Sequence, residues 1–151
     1  MNRSTANWMG NTVQCHRCSG RVPMTGIGND TLCRPCHQLA ELFPDGEVNR
    51  RQRGHAFLTS EMMQAIPALY ATESVPSADK TLYAHYFLGS HDWYVAELDP
   101  ETGRAFSYCP GFPGEWGYVD LVGMEALVAG WNVIEREVAF RPVTVRELRE
   151  V

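Results

Sequence analysis

Apolar positions in the second half of the chain change period several times, and each change predicts an element. Thr59 or Ser60 can cap a helix in which Glu61 suits the first turn and Met62, Ile66 and Leu69 recur on one face, with Pro67 kinking or splitting it. Residues 81–88 are aromatic-rich and apolar on both alternations, as in a buried strand. Gly89, Ser90, His91 and Asp92 read as a turn, 93–98 as a second strand, Asp99 to Gly103 as a tight turn and 104–109 as a third strand. That is an antiparallel meander. A loop over 110–114 leads to a short strand at 116–119, and Asp120 can cap a helix running through Met124, Leu127 and Val128 to Gly130. Residues 133–140 alternate as a last strand closed by Pro142, and 145–151 suit a short charged helix. Together these elements predict an α+β fold, a mainly antiparallel sheet of four or five strands with covering helices.

The first third of the chain reads differently. Residues 1–14 are polar and without period, a flexible tail that Trp8 could pin. Residues 15–46 hold two cysteine pairs and a helix whose apolar face is Leu39, Leu42 and Phe43, stopped by Pro44, Asp45 and Gly46. Residues 47–56, with Arg50, Arg51 and Arg53, read as an exposed basic linker to an acidic α+β domain over 57–151.

The cysteines carry the most specific signal. Cys15 and Cys18 are separated by two residues, as are Cys33 and Cys36, with fourteen residues between the pairs. Two residues between thiolates let one tight turn present both sulfurs to an ion, and two such turns complete a tetrahedron, the spacing of a zinc site. Ser19 and Gly20 give the first turn its freedom, and Pro35 opens a helix on which Cys36 lies near the positive end of the dipole. The pattern resembles the zinc-ribbon and treble-clef modules, implying a small stapled unit with Zn²⁺ in a closed shell that serves folding rather than catalysis. A thioredoxin-like redox pair fits poorly, because neither pair sits in a βαβ pattern. His16 or His37 could replace a cysteine as ligand, although each is next to a ligand in sequence, where a solvent-facing histidine is the simpler assignment.

Charge divides the chain of 151 residues and net −5. Residues 1–55 hold seven arginines against four acids, +3, and residues 56–151 hold six basic residues against fourteen acids, −8. A uniformly basic surface is excluded for the larger part, whereas Arg17, Arg21, Arg34, Arg50, Arg51 and Arg53 could set the smaller one on DNA or RNA phosphates. Four thiolates with one zinc would offset that by about −2. A hydrophobic fraction of 44% suits a protein that buries a core. No apolar run is long enough for a membrane span and the first residues lack a secretory signal's apolar centre, so a cytoplasmic protein is expected.

Chemistry has little support in the pattern. His85, His91, Asp92 and Glu97 form the one cluster open to a catalytic reading, yet no nucleophile with an orienting partner accompanies them. His85 reads as a satisfied core histidine and Asp92 as a turn residue, while Cys109 at a strand end reads as packing. Phosphate-loop, dinucleotide, zinc-protease and serine-hydrolase motifs are all missing from the sequence.

The blocks 93–100, 105–109, 116–121 and 133–140 together resemble a bacterial family known as domain of unknown function 2958, over about residues 57–148. That resemblance implies a setting on plasmids, integrative elements or phages, near transfer, partition and anti-restriction genes, and no catalytic residues. The cysteine module and the loop at 110–114 depart from that family's pattern. The expectation is a non-catalytic accessory protein binding a host or element-encoded protein, such as a defence or replication complex. Trp116, taken as exposed beside a glycine-rich loop, is a candidate partner contact. The alternative is a nucleic-acid-binding regulator using the basic cysteine module.

Overall fold

The computed structural model describes residues 12–18, 21–23, 32–111 and 114–151. Trp8, Ser19, Gly20, Phe112 and Pro113 lie outside the described residues, as does the side chain of Arg21. Strands β1 (Thr12–Gln14) and β2 (Arg21–Pro23) pair antiparallel, so the expected tail becomes a hairpin arm at its last three residues. Helix α1 (Arg34–Leu42) follows, then α2 (Arg50–Arg53) and α3 (Ser60–Ala65). The body is β3 (Thr81–Leu82), β4 (Ala84–Leu88), β5 (His91–Leu98), β6 (Arg104–Cys109), β7 (Glu115–Asp120) and α4 (Leu121–Ala126). It ends with β8 (Val128–Ala129), β9 (Asn132–Val133), β10 (Glu135–Arg136), β11 (Val143–Thr144) and α5 (Val145–Arg149).

Five strands form the main sheet in the order β10-β4-β5-β6-β7, every neighbour antiparallel, so the fold is α+β as the pattern implied. The meander owes its register to its turns. Asp99 accepts the Glu101 N–H at 3.0 Å and the Thr102 hydroxyl at 2.7 Å, and Gly103 takes φ +80°, a left-handed conformation glycine adopts without steric cost. Thr59 caps α3 through the Met62 N–H, and the helix stops at Ala65 because Pro67 cannot continue it. α5 opens with a reciprocal capping box between Thr144 and Glu147.

Four expected elements differ. The strand over 133–140 is reduced to β9 and β10, which belong to different sheets, and Val138 and Ala139 form a turn. The strand over 81–88 breaks at Tyr83, and its first two residues pair with β11 rather than with the main sheet. The turn before β5 is only Gly89 and Ser90, with Leu88 opposite His91, so His91 and Asp92 belong to the strand. The helix capped by Asp120 ends at Ala126, and Val128 onward folds into the β8–β9 hairpin with Gly130 at φ +63°. A left-handed glycine between two short β-branched runs favours a two-residue turn over a further helical one.

One apolar cluster joins α1 to the main sheet. Leu39 and Phe43 of α1 pack with Phe57, Leu58, Met63, Tyr86, Val95, Leu98, Leu121 and Ile134. A smaller cluster of Leu82, Ala96, Tyr108 and Val145 lies under α5. Segment 47–56 is no exposed linker, because Glu47 accepts the N–H groups of Phe57 at 2.9 Å and Leu58 at 3.1 Å, and Arg53 is buried.

A buried carboxylate also organises the far end of β5. Glu97 accepts the N–H groups of Tyr70 at 2.8 Å and Thr72 at 3.0 Å and the Thr72 hydroxyl, holding Tyr70 at φ +69°. Tyr70 is the one non-glycine residue with positive φ among the described residues. Burial alone would raise the Glu97 carboxyl, but the Thr72 hydroxyl, the two N–H groups and the nearby Lys80 charge hold it below its ordinary 4.5. A lowered carboxyl contributes stability that is present above the ordinary value and lost as pH falls through the folded one. Chemical denaturation midpoints should therefore decline below about pH 4.5, with a shallower decline in Glu97→Gln; parallel pH profiles for the two proteins would refute this.

Candidate metal centre

The four paired cysteines come together from separate local structures. Cys15 follows β1 and Cys18 closes the adjoining turn, while Cys33 and Cys36 open α1. Cys33 is the helix cap, its sulfur accepting the Cys36 N–H at 3.4 Å, and Pro35 sits in the first turn where a missing donor costs nothing. The Cys33 N–H in turn donates to the Cys15 sulfur at 3.3 Å, tying the two halves. Cys15, Cys33 and Cys36 are buried and Cys18 is exposed.

The four sulfurs all lie within 4.8 Å of one another, and Cys18 Sγ is 3.6 Å from Cys33 Sγ. A tetrahedron with zinc–sulfur bonds of about 2.3 Å has sulfur–sulfur edges of about 3.8 Å, so the cluster has the dimensions of a metal shell. All four cysteines are free, and a bonded pair would stand at about 2.0 Å. The donor set could hold a metal ion; four soft sulfurs in a tetrahedron suit zinc or iron.

The thiols are not equivalent. Burial would raise Cys15, but N–H groups of Cys33, Cys18 and Arg17 bring it down to about 6. Burial pushes Cys33 and Cys36 up despite hydrogen bonds that lower Cys33. A cation among the sulfurs would oppose that rise, since coordination requires the thiolate.

The remaining candidate residues scatter. His16 and His37 are exposed and outside the four-sulfur cluster, His37 facing Glu41 at 3.7 Å. Arg17, Arg34, Arg50 and Arg51 are exposed, whereas Arg53 is 5% exposed and unavailable to any partner. Its Nε donates to the Ile134 carbonyl at 2.8 Å and one terminal nitrogen to the Glu125 carboxylate at 2.9 Å, while its carbon lies 4.7 Å from the Phe57 ring centre. Trp116 is half-buried within β7, stacked on Phe106 at 4.8 Å, and not an exposed loop residue.

The histidine and carboxylate cluster separates as well. Both His85 ring nitrogens face carboxylates, Asp92 and Glu137, each at 2.7 Å, and its ring stacks on Tyr94 at 4.2 Å. Asp92 is thus a partner of His85 rather than of His91, which is exposed beside Trp93. Cys109 is half-buried, and burial raises its thiol.

Two features escaped the sequence reading. Arg53 faces Glu125, far along the chain, and no local pattern announces that pair. Trp131, 93% exposed, caps the β8–β9 hairpin, whose signal is visible afterwards as Val128 and Val133 flanking a glycine-containing turn. Among the described residues no helix is long and apolar enough to cross a membrane. Comparison of the chain with known protein families, with characterised proteins and with solved structures finds no match.

Proposed function

We propose that the chain is a zinc-stabilised, non-catalytic accessory protein of a phage or mobile element, acting in the host cytoplasm by binding a host or element-encoded protein. The observation that carries the reading is the four-sulfur cluster at the root of α1, whose Leu39 and Phe43 enter the same core as the sheet. A closed shell of four thiolates leaves no open position for a reacting ligand, so its zinc would serve folding. The resemblance to domain of unknown function 2958 supports the genetic setting.

Exposed acids on the body, among them Glu73, Glu101 and Glu115, suit a partner with a basic surface, such as a protein that handles nucleic acid. A second reading, a nucleic-acid-binding regulator, draws on exposed Arg17 and Arg34, each beside a cysteine ligand. The test is affinity capture from the native host together with metal analysis of the purified chain. One zinc per chain and a basic partner released as salt rises are expected. Absence of zinc, or capture no greater than that of a charge-matched control protein, would refute the proposal.

A further inference from the structure

The β8–β9 hairpin displays a side chain that globular proteins seldom leave bare. Trp131 is 93% exposed at its tip, and Leu127 and Val128 at its base are 45% and 54% exposed. The hairpin is anchored at its base. Val128 pairs with Val133 and Ala129 with Asn132, the next residue, Ile134, is buried, and Gly130 makes the turn.

Helix α2 is fastened to this hairpin. Gln52 donates to the Trp131 carbonyl at 2.6 Å, Arg53 to the Ile134 carbonyl, and the Asn49 side chain to the Glu125 carbonyl at 2.8 Å. The same one-turn helix carries Arg50 and Arg51, both exposed. Arg51 has no ion pair among the described residues, and Arg50 has only Glu47 at 3.8 Å, whose carboxylate is already shared with two backbone N–H groups.

The carboxylates packed beneath, Glu47 and Glu125, face Arg53 and are shielded from solvent, and the exposed acids nearest in sequence are Asp45 before α2 and Glu135 of β10 after the hairpin. Acids farther than about 8 Å from the guanidiniums are largely screened at physiological salt. An exposed indole, on a hairpin fastened to the helix that carries two exposed guanidiniums, matches the two features every nucleotide repeats, a base face and a phosphate. A duplex hides its base faces, whereas a single strand offers them.

We propose that Trp131, Arg50 and Arg51 form a binding site for single-stranded nucleic acid, the indole stacking on a base and the guanidiniums meeting flanking phosphates. This site is separate from the acidic surface assigned to a protein partner, so either can fail while the other stands.

The test titrates the full metal-loaded chain with labelled oligothymidylate and oligouridylate of about 12 nucleotides. Anisotropy and tryptophan emission are followed from about 50 to 200 mM salt. Two phosphate contacts predict a slope of about −1.4 in log affinity against log salt, falling toward zero in an Arg50→Ala/Arg51→Ala variant. Trp131→Ala should weaken binding about 5- to 150-fold with an unchanged melting midpoint, and Trp131→Phe should recover part of the loss. Equal binding of the two oligonucleotides supports a site blind to the sugar, and preference for one names DNA or RNA as the ligand. No binding at the lowest salt, undiminished binding by Trp131→Ala, or equal affinity for a duplex of the same length would overturn the proposal. So would Trp131-dependent binding to phosphatidylserine vesicles without oligonucleotide binding, which would reassign the tip to a membrane surface.

Discussion

Chelating the metal from the purified chain is expected to detach α1 from the sheet and lower the melting midpoint by about 10–20 °C. Helix α1 has nine residues, fewer than the roughly 12–15 at which isolated helices become even marginal in water. The β1–β2 hairpin has three residues per strand and cannot hold itself either. What joins them is the sulfur cluster, through Cys15 on one side and Cys33 and Cys36 on the other. Without a cation, three buried thiols would remain with few partners, and the segment would gain entropy by opening. Opening withdraws Leu39 and Phe43 from the main cluster, at a cost on the order of 5 kcal/mol, a large part of a typical domain's 5–15 kcal/mol. Cys36→Ser should reproduce the effect, since it removes a ligand while leaving Pro35 and the start of the helix in place. Thermal melts with and without chelator, hydrogen exchange over α1 and metal content by mass spectrometry decide the matter. Coincident melts, or full metal occupancy in Cys36→Ser, would show that the four sulfurs are not the staple.

Those same residues show why some of the architecture was readable and some was not. Cysteine spacing is a local quantity, and the geometry it demands is local too, so both pairs and the helix start at Pro35 could be read directly. Caps behaved alike: Thr59 and Asp120 accept N–H groups only a few residues ahead. The extent of α4 was not readable, because Leu127 and Val128 continue the helical period yet are exposed on a hairpin. Apolar periodicity predicts burial, and a residue kept apolar on the surface defeats it. Arg53 fails in the opposite sense, since arginines are mostly exposed and a run of polar residues reads as a linker. Its burial is decided by Glu125 and Ile134, which lie 72 and 81 positions away. Residues 47–56 are consequently a clasp, and a clasp has no period of its own.

Replacing Arg53 by alanine is expected to destabilise the protein by about 3–5 kcal/mol, among the largest effects available to a single side chain here. The cost comes less from losing an attraction than from what is left behind. Glu125 is 1% exposed and would be left with only the N–H groups of Val48 at 2.8 Å and Asn49 at 2.9 Å as donors to its side chain. The Glu125 and Ile134 carbonyls would each lose a guanidinium donor as well. Lysine should not rescue, because its compact ammonium cannot reproduce a planar fork that serves two carbonyls and a carboxylate at once. The network is already imperfect, with the second terminal nitrogen of Arg53 lacking a hydrogen-bond partner and standing 3.7 Å from Glu47. An apolar replacement of the pair, Arg53→Met with Glu125→Leu, should therefore cost less than Arg53→Ala alone, as both charges leave together. Denaturant titrations of the two single variants and the double variant form a cycle whose coupling measures the pair. Additive losses would mean that the two residues do not meet. If they do meet, Arg53→Ala should loosen α2 and the β8–β9 hairpin while the metal stays bound, because the sulfur cluster shares no ligand with the clasp.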